Sequence, residues 1–203
     1  MKLPERIERV FAHRVMPDVV VDMTSPFHID SDVEEALWFT GRDWQSITRD
    51  DWQKHPVAFT FFSKEALGYY LPSILLLSLQ SPQQALDPAE SLIWELDRSP
   101  STEGWTDNFA NRFLGLTSTE LDVLKEWLLQ VCEYAPYKGW GIAASGPGDT
   151  FGRAFDTIDL LQKGSRAKAP GERITLIQDL WGRAKFSISR IEILNCTFDP
   201  NPL

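Results

Sequence analysis

The chain contains 203 residues, of which 43% are hydrophobic, and this is enough for the core of one large domain or of one domain with an appended subdomain. Twenty basic and 29 acidic side chains give a net charge of −9, which disfavours direct binding of nucleic acid and favours solubility or a cationic partner. The first residues, MKLPERIERVF, lack the apolar run of a signal peptide, and two cysteines are too few for a disulfide scaffold, so we expect a cytoplasmic protein.

The first predicted elements are a helix and a short strand. Pro4 is tolerated in a first helical turn, and Ile7 and Phe11 follow at helical spacing, so we expect an amphipathic helix over residues 4–14. Residues 18–24, DVVVDMT, contain a β-branched run that favours a strand.

A short acidic helix and, after it, an acidic capped turn are predicted next. Ser31 is a candidate N-cap for the first of them, and Gly41 ends it. Thr48 is a candidate N-cap for the second, which stops at His55 because Pro56 follows. Residues 57–62, VAFTFF, are either a buried strand or an extended lead-in to the next helix.

Residues 63–80, SKEALGYYLPSILLLSLQ, form the densest apolar stretch of the chain and predict a central helix. Ser63 can cap its first turn, and polar residues dilute the stretch enough to favour a buried core helix over a membrane span. Pro72 removes one backbone hydrogen bond and presses on the carbonyl of Gly68, so we expect a kink there.

Residues 82–108 contain three prolines and predict a surface excursion with one short ordered piece around Leu92 to Leu96. A well-marked helix start follows. Thr117 and Glu120 have the spacing of a capping box, and the apolar stripe after them predicts a helix to about residue 132.

The last third of the chain begins with a loop. Residues 133–152 contain five glycines and two prolines, and a helical stripe resumes between Phe151 and Gly164. A second stripe favours another helix, although residues 185–194 also have the composition of a strand. That stripe consists of Ile174, Ile177, Trp181, Ala184, Ile188 and Ile191. We therefore expect a helical core domain over 1–132, a Gly/Pro-rich connector over 133–152 and a C-terminal helical extension over 153–203 that packs on the core.

The glycine-rich run SGPGDTFG at residues 145–152 has some features of a phosphate-binding loop. The spacing of Gly146, Gly148 and Gly152 misses G-x-G-x-x-G by one residue, Pro147 lacks an N–H donor, and no Lys-Ser or Lys-Thr follows. A turn-rich connector is the better interpretation.

Residues typical of metal or nucleophile chemistry are scattered. His13, His28 and His55 lack the spacing of a helical zinc site, and neither Cys132 nor Cys196 has a basic neighbour in the sequence that would lower its pKa. We predict no catalytic residue, no metal ligand and no cofactor.

One charged cluster has a candidate function. Seven carboxylates lie within 22 residues and alternate with three tryptophans. This segment is either a solvated helix face or an anionic docking surface with aromatic anchors for a basic partner. The predicted partner-binding residues are Asp30, Asp32, Glu34, Glu35, Trp38, Trp44, Asp50, Asp51 and Trp52, and the seventh carboxylate is Asp43.

Three segments carry a resemblance to a known group of proteins. They are GRDWQSI at 41–47, FFSKEALGYYLPSIL at 61–75 and LTSTEL at 116–121. They resemble an uncharacterised family of small bacterial proteins with G-x-x-W-x-x-I, A-x-x-Y-Y-L-P and L-T-x-x-E segments, over roughly residues 3–132. Proteins similar to these occur among the immunity proteins of type VI secretion, which neutralise a toxin made by the same cell, in one case a nuclease. The matching residues are apolar or turn-forming, so the resemblance implies a shared core and no active site.

These observations predict a mainly α protein, an irregular helical domain around a kinked, buried central helix with at most a few short strands. The resemblance and the negative charge together favour an immunity protein that binds and neutralises a basic nuclease toxin without catalysis. One alternative is an enzyme of unrecognised type with a pocket between the core and the 139–152 loop. Another is an adaptor or structural protein.

Overall fold

The structure is a computed structural model of the chain, and it describes residues 1–21, 30–82, 84–98, 105–133, 140 and 147–165. Within these residues the protein is mainly α, with nine α-helices and one 3₁₀ turn, which confirms the predicted fold class. The helices are α1 (Leu3–Phe11), α2 (Asp30–Leu37), α3 (Arg49–Lys54), α4 (Ala58–Phe61), α5 (Lys64–Gln80), α6 (Asp87–Leu96), α7 (Asp107–Phe113), α8 (Ser118–Cys132) and α9 (Pro147–Ser165), and the 3₁₀ turn is Trp44–Ser46. Among the described residues, no helix combines the length and the hydropathy that a bilayer crossing requires.

Helix α5 is the centre of the core, as predicted. Its residues from Ala66 to Leu75 are all buried, and α1, α6, α7, α8 and the 3₁₀ turn contact it. Ser63 caps the helix, because its Oγ accepts a hydrogen bond from the Ala66 N–H at 3.2 Å. Pro72 is buried inside the helix, and the kink at this residue stays a prediction.

An aromatic cluster joins α5 to the segments before it. The Phe39 ring lies 4.5 Å from the Trp52 ring, 5.2 Å from Phe62 and 5.3 Å from Tyr70, measured between centroids. These distances are typical of attractive aromatic pairs, and all four side chains are buried. The Tyr70 hydroxyl also donates to the backbone carbonyls of Phe39 and Arg42.

A buried ion pair connects the first helix to the eighth. The Arg14 guanidinium follows α1 and donates to both carboxylate oxygens of Glu120, with Nε to Oε1 at 2.6 Å. Glu120 is fully buried, and it also completes the predicted capping box by accepting from the Thr117 N–H at 2.6 Å. An ideal Cβ at Gly68 would lie 2.6 Å from Arg14 Nη1, so the absence of a side chain at Gly68 makes room for this guanidinium.

The prediction of a surface excursion over 82–108 is wrong for residues 87–96, which form a longer and more deeply buried helix than the short ordered piece expected there. Helix α6 is ten residues long, and Leu92, Ile93 and Leu96 are fully buried where it packs on α9 and α4. Helix α7 begins within the same range, at Asp107, and its Arg112 donates to the Phe59 carbonyl at 2.7 Å and to Glu95 at 3.1 Å. These contacts place both helices in the core.

Residues 57–62 are also different from either prediction. They contain the one-turn helix α4, and only Phe62 is extended, where it forms a bridge with Val21. Of the strand predicted over 18–24 the structure describes residues 18–21, and among these Val21 alone is paired, in that bridge. Because α2 and α6 pack against this segment, a compact turn buries Ala58 and Phe59 without needing a partner strand.

Helix α9 packs on α8 and α6 through Ala154, Ile158 and Leu161, which are fully buried. It begins at Pro147, inside the range predicted as a connector. The predicted helix from Ile174 and the ambiguous residues 185–194 lie outside the described residues. The division into core, connector and extension stays a prediction.

Candidate functional site

The carboxylates of the predicted docking surface are of two kinds. Some accept a hydrogen bond from a backbone N–H, and the others do not. Glu35 accepts from the Val57 N–H at 3.2 Å, Asp43 from the Gln45 N–H at 2.9 Å, and Asp51 from the Thr48 N–H at 2.9 Å. These three carboxylates therefore hold local structure. Helix α2 begins at Asp30, whose side chain is outside the described part of the structure.

The pKa of the Asp51 carboxyl reflects its hydrogen bonds to Thr48. Burial raises the pKa of its carboxyl, but hydrogen bonds from Thr48 and the charges of Lys54 and Arg42 outweigh that effect and lower the pKa below its usual value. The ionised carboxylate is the form that completes the Thr48 capping box.

Asp32, Glu34 and Asp50 are the carboxylates of this surface that a partner could use. Glu34 and Asp50 are exposed, and Asp32 is partly exposed and accepts from the Ser31 hydroxyl at 3.3 Å. In the part of the chain that the structure describes, none of the three forms an ion pair; the pairs lie elsewhere, such as Arg14 with Glu120 and Arg112 with Glu95.

The nearby arginines Arg42 and Arg49 bind other groups of the fold. Arg49 donates to the backbone carbonyls of Leu77 at 2.9 Å and Ala85 at 3.0 Å. Arg42 donates from Nε to the Trp38 carbonyl at 2.8 Å, and its guanidinium lies over the Trp38 ring at 3.8 Å from the centroid. Both cations are held by these contacts, and in the described part of the chain neither forms an ion pair with Asp32, Glu34 or Asp50.

The expectation that Trp44 and Trp52 are exposed anchors is wrong. Trp52 is fully buried and donates from Nε1 to the Ser73 hydroxyl at 3.2 Å, while Trp44 is 7% exposed. On a helix, Trp52 faces away from Asp50, and the core lies on its side of α3. Both tryptophans are core residues.

Trp38 is the tryptophan of the three that reaches the surface. It is half-buried, and the His55 ring stacks on it at 4.5 Å and 25° while Arg42 covers it as a cation. The positive φ of Gly41, 72°, ends the α2 segment and returns the chain so that Arg42 lies over Trp38. Neither Arg42 nor His55 was among the predicted partner-binding residues, although the glycine that ends the helix indicates such a return.

A second candidate lies between α8 and the start of α9. It is a cleft of about 320 Å³ lined by Leu128, Leu129, Cys132, Phe151, Gly152, Phe155 and Asp156. Its position is close to that of the pocket expected for the alternative enzyme. Burial and then the neighbouring Glu133 charge raise the pKa of the Cys132 thiol, so the thiol is protonated at neutral pH and is a weak nucleophile. The lining offers apolar contact and one carboxylate.

The two histidines that the structure describes contact other protein groups. His13 Nδ1 lies 2.9 Å from the Val10 carbonyl, and His55 stacks on Trp38. Within the described ranges, no three His, Cys, Asp or Glu side chains are grouped as metal ligands would be. His28 is outside those ranges.

Comparison with known proteins finds no protein-family model, no curated protein and no solved structure that matches this chain.

Proposed function

We propose that this protein is an immunity protein of a type VI secretion system. It binds a basic toxin and neutralises it in the cytoplasm without catalysis. The observation that supports the proposal is the unpaired charge on α2 and α3. Among the described residues, Asp32, Glu34 and Asp50 form no ion pair, while Arg42 and Arg49 are held by carbonyls and by Trp38. An anionic surface of this kind attracts a basic protein and speeds its association.

The proposed partner surface is smaller than the set of residues predicted from the sequence. Glu35, Asp43 and Asp51 hold the backbone, and Trp44 and Trp52 are in the core, so the proposed partner surface consists of Asp32, Glu34, Asp50 and Trp38. The Glu35–Val57 hydrogen bond and the Trp38–His55 stack join α2 to the end of α3 and keep this surface in one place.

The first experiment identifies the partner. The protein is co-expressed with the product of the adjacent reading frame, and co-purification of the two is expected if that frame encodes the toxin. An adjacent metabolic operon and no co-purifying neighbour would instead favour the enzyme alternative.

The second experiment tests the surface. Changing Asp32, Glu34 and Asp50 to Lys is expected to slow association with the toxin, because the steering field is reversed. The effect should shrink with salt, since the Debye length falls from about 10 Å at 0.1 M to about 3 Å at 1 M.

The matched control reverses three exposed acids elsewhere, Glu8, Asp18 and Glu133, with the same change in net charge. Equal slowing by both triple variants would show that overall charge acts and that the α2–α3 surface has no special role. Association of the first variant at the wild-type rate in low salt would contradict the proposed surface altogether.

A further inference from the structure

Arg42 is an exposed cation that the fold holds in one place. Its backbone N–H donates to the Phe39 carbonyl at 3.1 Å, and its backbone carbonyl accepts from the Tyr70 hydroxyl at 3.0 Å. Its side-chain Nε donates to the Trp38 carbonyl at 2.8 Å, and the guanidinium carbon lies 3.8 Å from the centroid of the Trp38 ring. An arginine that is already ordered loses less side-chain entropy when a partner binds it.

These contacts leave the outer end of the guanidinium open. The Nε donor is bound to Trp38, so the donors that remain belong to the terminal nitrogens Nη1 and Nη2. Among the described residues, no acceptor lies within hydrogen-bonding distance of either terminal nitrogen, and no carboxylate forms an ion pair with Arg42. The terminal nitrogens lie in one plane and match the two oxygens of a carboxylate. Arg42 therefore presents an ordered, unused site for one carboxylate.

The carboxylates next to Arg42 are engaged elsewhere. Burial, hydrogen bonds from Thr48 and nearby positive charges, Arg42 among them, together set the pKa of Asp51, so Arg42 lies within electrostatic range of this carboxylate. Asp51 nevertheless accepts from the N–H and the hydroxyl of Thr48. Asp43 follows Arg42 in the chain and accepts from the Gln45 N–H. The described residues therefore leave Arg42 as an unpaired cation in an acidic region.

The charge of the surroundings decides what kind of anion can reach Arg42. A small free anion would approach a chain with a net charge of −9 past the exposed carboxylates of Asp43 and Asp50, which repel it. An acidic protein is repelled in the same way. A carboxylate within a basic surface is not, because the lysine or arginine side chains around it meet Glu34 and Asp50 while the carboxylate meets Arg42.

We propose that Arg42 determines the specificity of the proposed partner surface by binding, through Nη1 and Nη2, one carboxylate that lies within the basic contact surface of the partner protein. The inference rests on the proposed function, since it concerns the same surface, and it adds the chemistry that the partner must present. A basic protein without that carboxylate would place a cation against Arg42 or leave the guanidinium desolvated and unpaired. Either outcome weakens binding.

The first experiment uses lysine-rich peptides as the basic probe and needs no natural partner. Each peptide has one Glu at a different position and a counterpart with Gln at that position, and binding is measured by fluorescence anisotropy at low ionic strength. Net charge alone favours the Gln peptides, because the protein is anionic. The wild-type protein is expected instead to bind at least one Glu peptide severalfold more tightly than its Gln counterpart.

Three variants, each checked for folding by circular dichroism, show whether Arg42 causes that preference. Arg42→Gln is expected to lose it, whereas the matched control Arg9→Gln, which removes an exposed cation from α1 with the same change in net charge, should keep it. Arg42→Lys retains the charge without the paired terminal nitrogens and should keep only a small part of the preference. Wild-type binding with no preference for any Glu peptide, or an undiminished preference in Arg42→Gln, would overturn the proposal.

The second experiment uses the basic protein that co-purifies with the chain. Each Asp and Glu of that protein is changed in turn to Asn or Gln, and dissociation is measured from the wild-type chain and from Arg42→Gln. One of these changes and Arg42→Gln should each speed dissociation roughly tenfold, and the two together should speed it little more than either alone.

The outcomes separate this inference from the proposed function. Independent, additive effects for every acidic residue of the co-purifying protein would contradict the role of Arg42 and leave the proposed function intact. Failure to find any co-purifying protein would count against the proposed function alone, since the peptide series still decides whether Arg42 selects a carboxylate in a basic surface.

Discussion

Glu120 combines an ion pair with a helix cap at a fully buried position. Its carboxylate accepts from Arg14, which is 16% exposed, and from the Thr117 N–H. Removing one charge of a buried pair leaves the other uncompensated, and Glu120→Gln is therefore expected to lower the free energy of unfolding by about 3–5 kcal/mol. Urea titration followed by circular dichroism measures the change.

Glu126→Gln is the matched control for Glu120, since it removes the same charge from the same helix. Glu126 pairs with Arg6, but its side chain is 43% exposed, so the loss should stay below about 1 kcal/mol. Similar losses in both variants would mean that the Arg14 pair is solvated and adds little stability.

The Arg14–Glu120 ion pair needs a residue without a side chain at position 68, because the Arg14 guanidinium occupies the space beside Gly68. Ala normally stabilises a helix by about 1 kcal/mol relative to Gly, but a Cβ at this position would press on the Arg14 guanidinium. Gly68→Ala is therefore expected to destabilise the protein, whereas Gly152→Ala in α9, where no atom lies within 4 Å of the new Cβ, should be neutral or stabilising. Thermal unfolding compares the two variants.

A double-mutant cycle separates this explanation from a general intolerance of α5. In an Arg14→Ala background the space beside Gly68 is free, so Gly68→Ala should lose most of its cost. An undiminished cost in that background would point to the turn around Pro72 as the source.

At the scale of elements, Tyr70 ties α5 to the segment after α2. Its hydroxyl donates to the backbone carbonyls of Phe39 and Arg42. Burial raises the pKa of Tyr70 from 10.0 to about 12, and the nearby Tyr69 adds to this effect. The Arg42 hydrogen bond offsets a part of it. A raised pKa in the folded state means that the neutral phenol stabilises the fold below pH 10 and that this contribution is lost as pH rises through 12.

The wild-type protein should therefore lose about 3 kcal/mol between pH 10 and pH 12 through this group. Tyr70→Phe should be less stable than wild type at pH 8, because two carbonyls lose their donor, yet its stability should fall less over the alkaline range. Denaturant titrations at matched pH values measure both slopes, and parallel slopes would assign the alkaline loss to other groups.

The helix starts show what local sequence predicts well. Ser63, Thr48 and Thr117 cap their helices as expected, because a cap is a hydrogen bond between residues two or three positions apart. The frequency of proline in residues 82–108 hides the length and burial of helix α6, of which the sequence predicts only a short ordered piece around Leu92 to Leu96. Pro88 in fact occupies the first turn, where proline is favourable, and Leu92, Ile93 and Leu96 continue the buried face.

Contacts between residues far apart in the sequence decide which residues of the candidate surface are exposed, and local sequence patterns do not predict such contacts. Counting carboxylates near tryptophans placed Trp52 at the surface, while the structure buries it against Phe39 and Ser73. Arg49 is occupied by carbonyls at residues 77 and 85, which lie 28 and 36 positions away. The charge that remains unpaired is therefore a property of the tertiary structure.

At the scale of the whole molecule, α9 shares the core of the preceding helices. Arg153 bonds Asp97 of the α6 end at 2.9 Å, Lys125 of α8 pairs with Asp159, and Ile158 is fully buried. We expect one cooperative unfolding transition, with tryptophan fluorescence and far-ultraviolet circular dichroism giving the same urea midpoint. Two separated midpoints would instead indicate that the C-terminal helix unfolds as an independent unit.

The Arg14–Glu120 contact has a further consequence during synthesis on the ribosome. The partners are 106 residues apart, and at roughly 5–20 residues per second the second partner follows the first by about 5 to 20 s. Throughout that interval the apolar face of α1, formed by Leu3, Ile7 and Phe11, lacks α8, one of the two helices against which it finally packs, the other being α5. Nascent chains that stall before α8 therefore present a hydrophobic N-terminus that α5 alone can cover, and the cell's chaperones would meet this protein at its first helix.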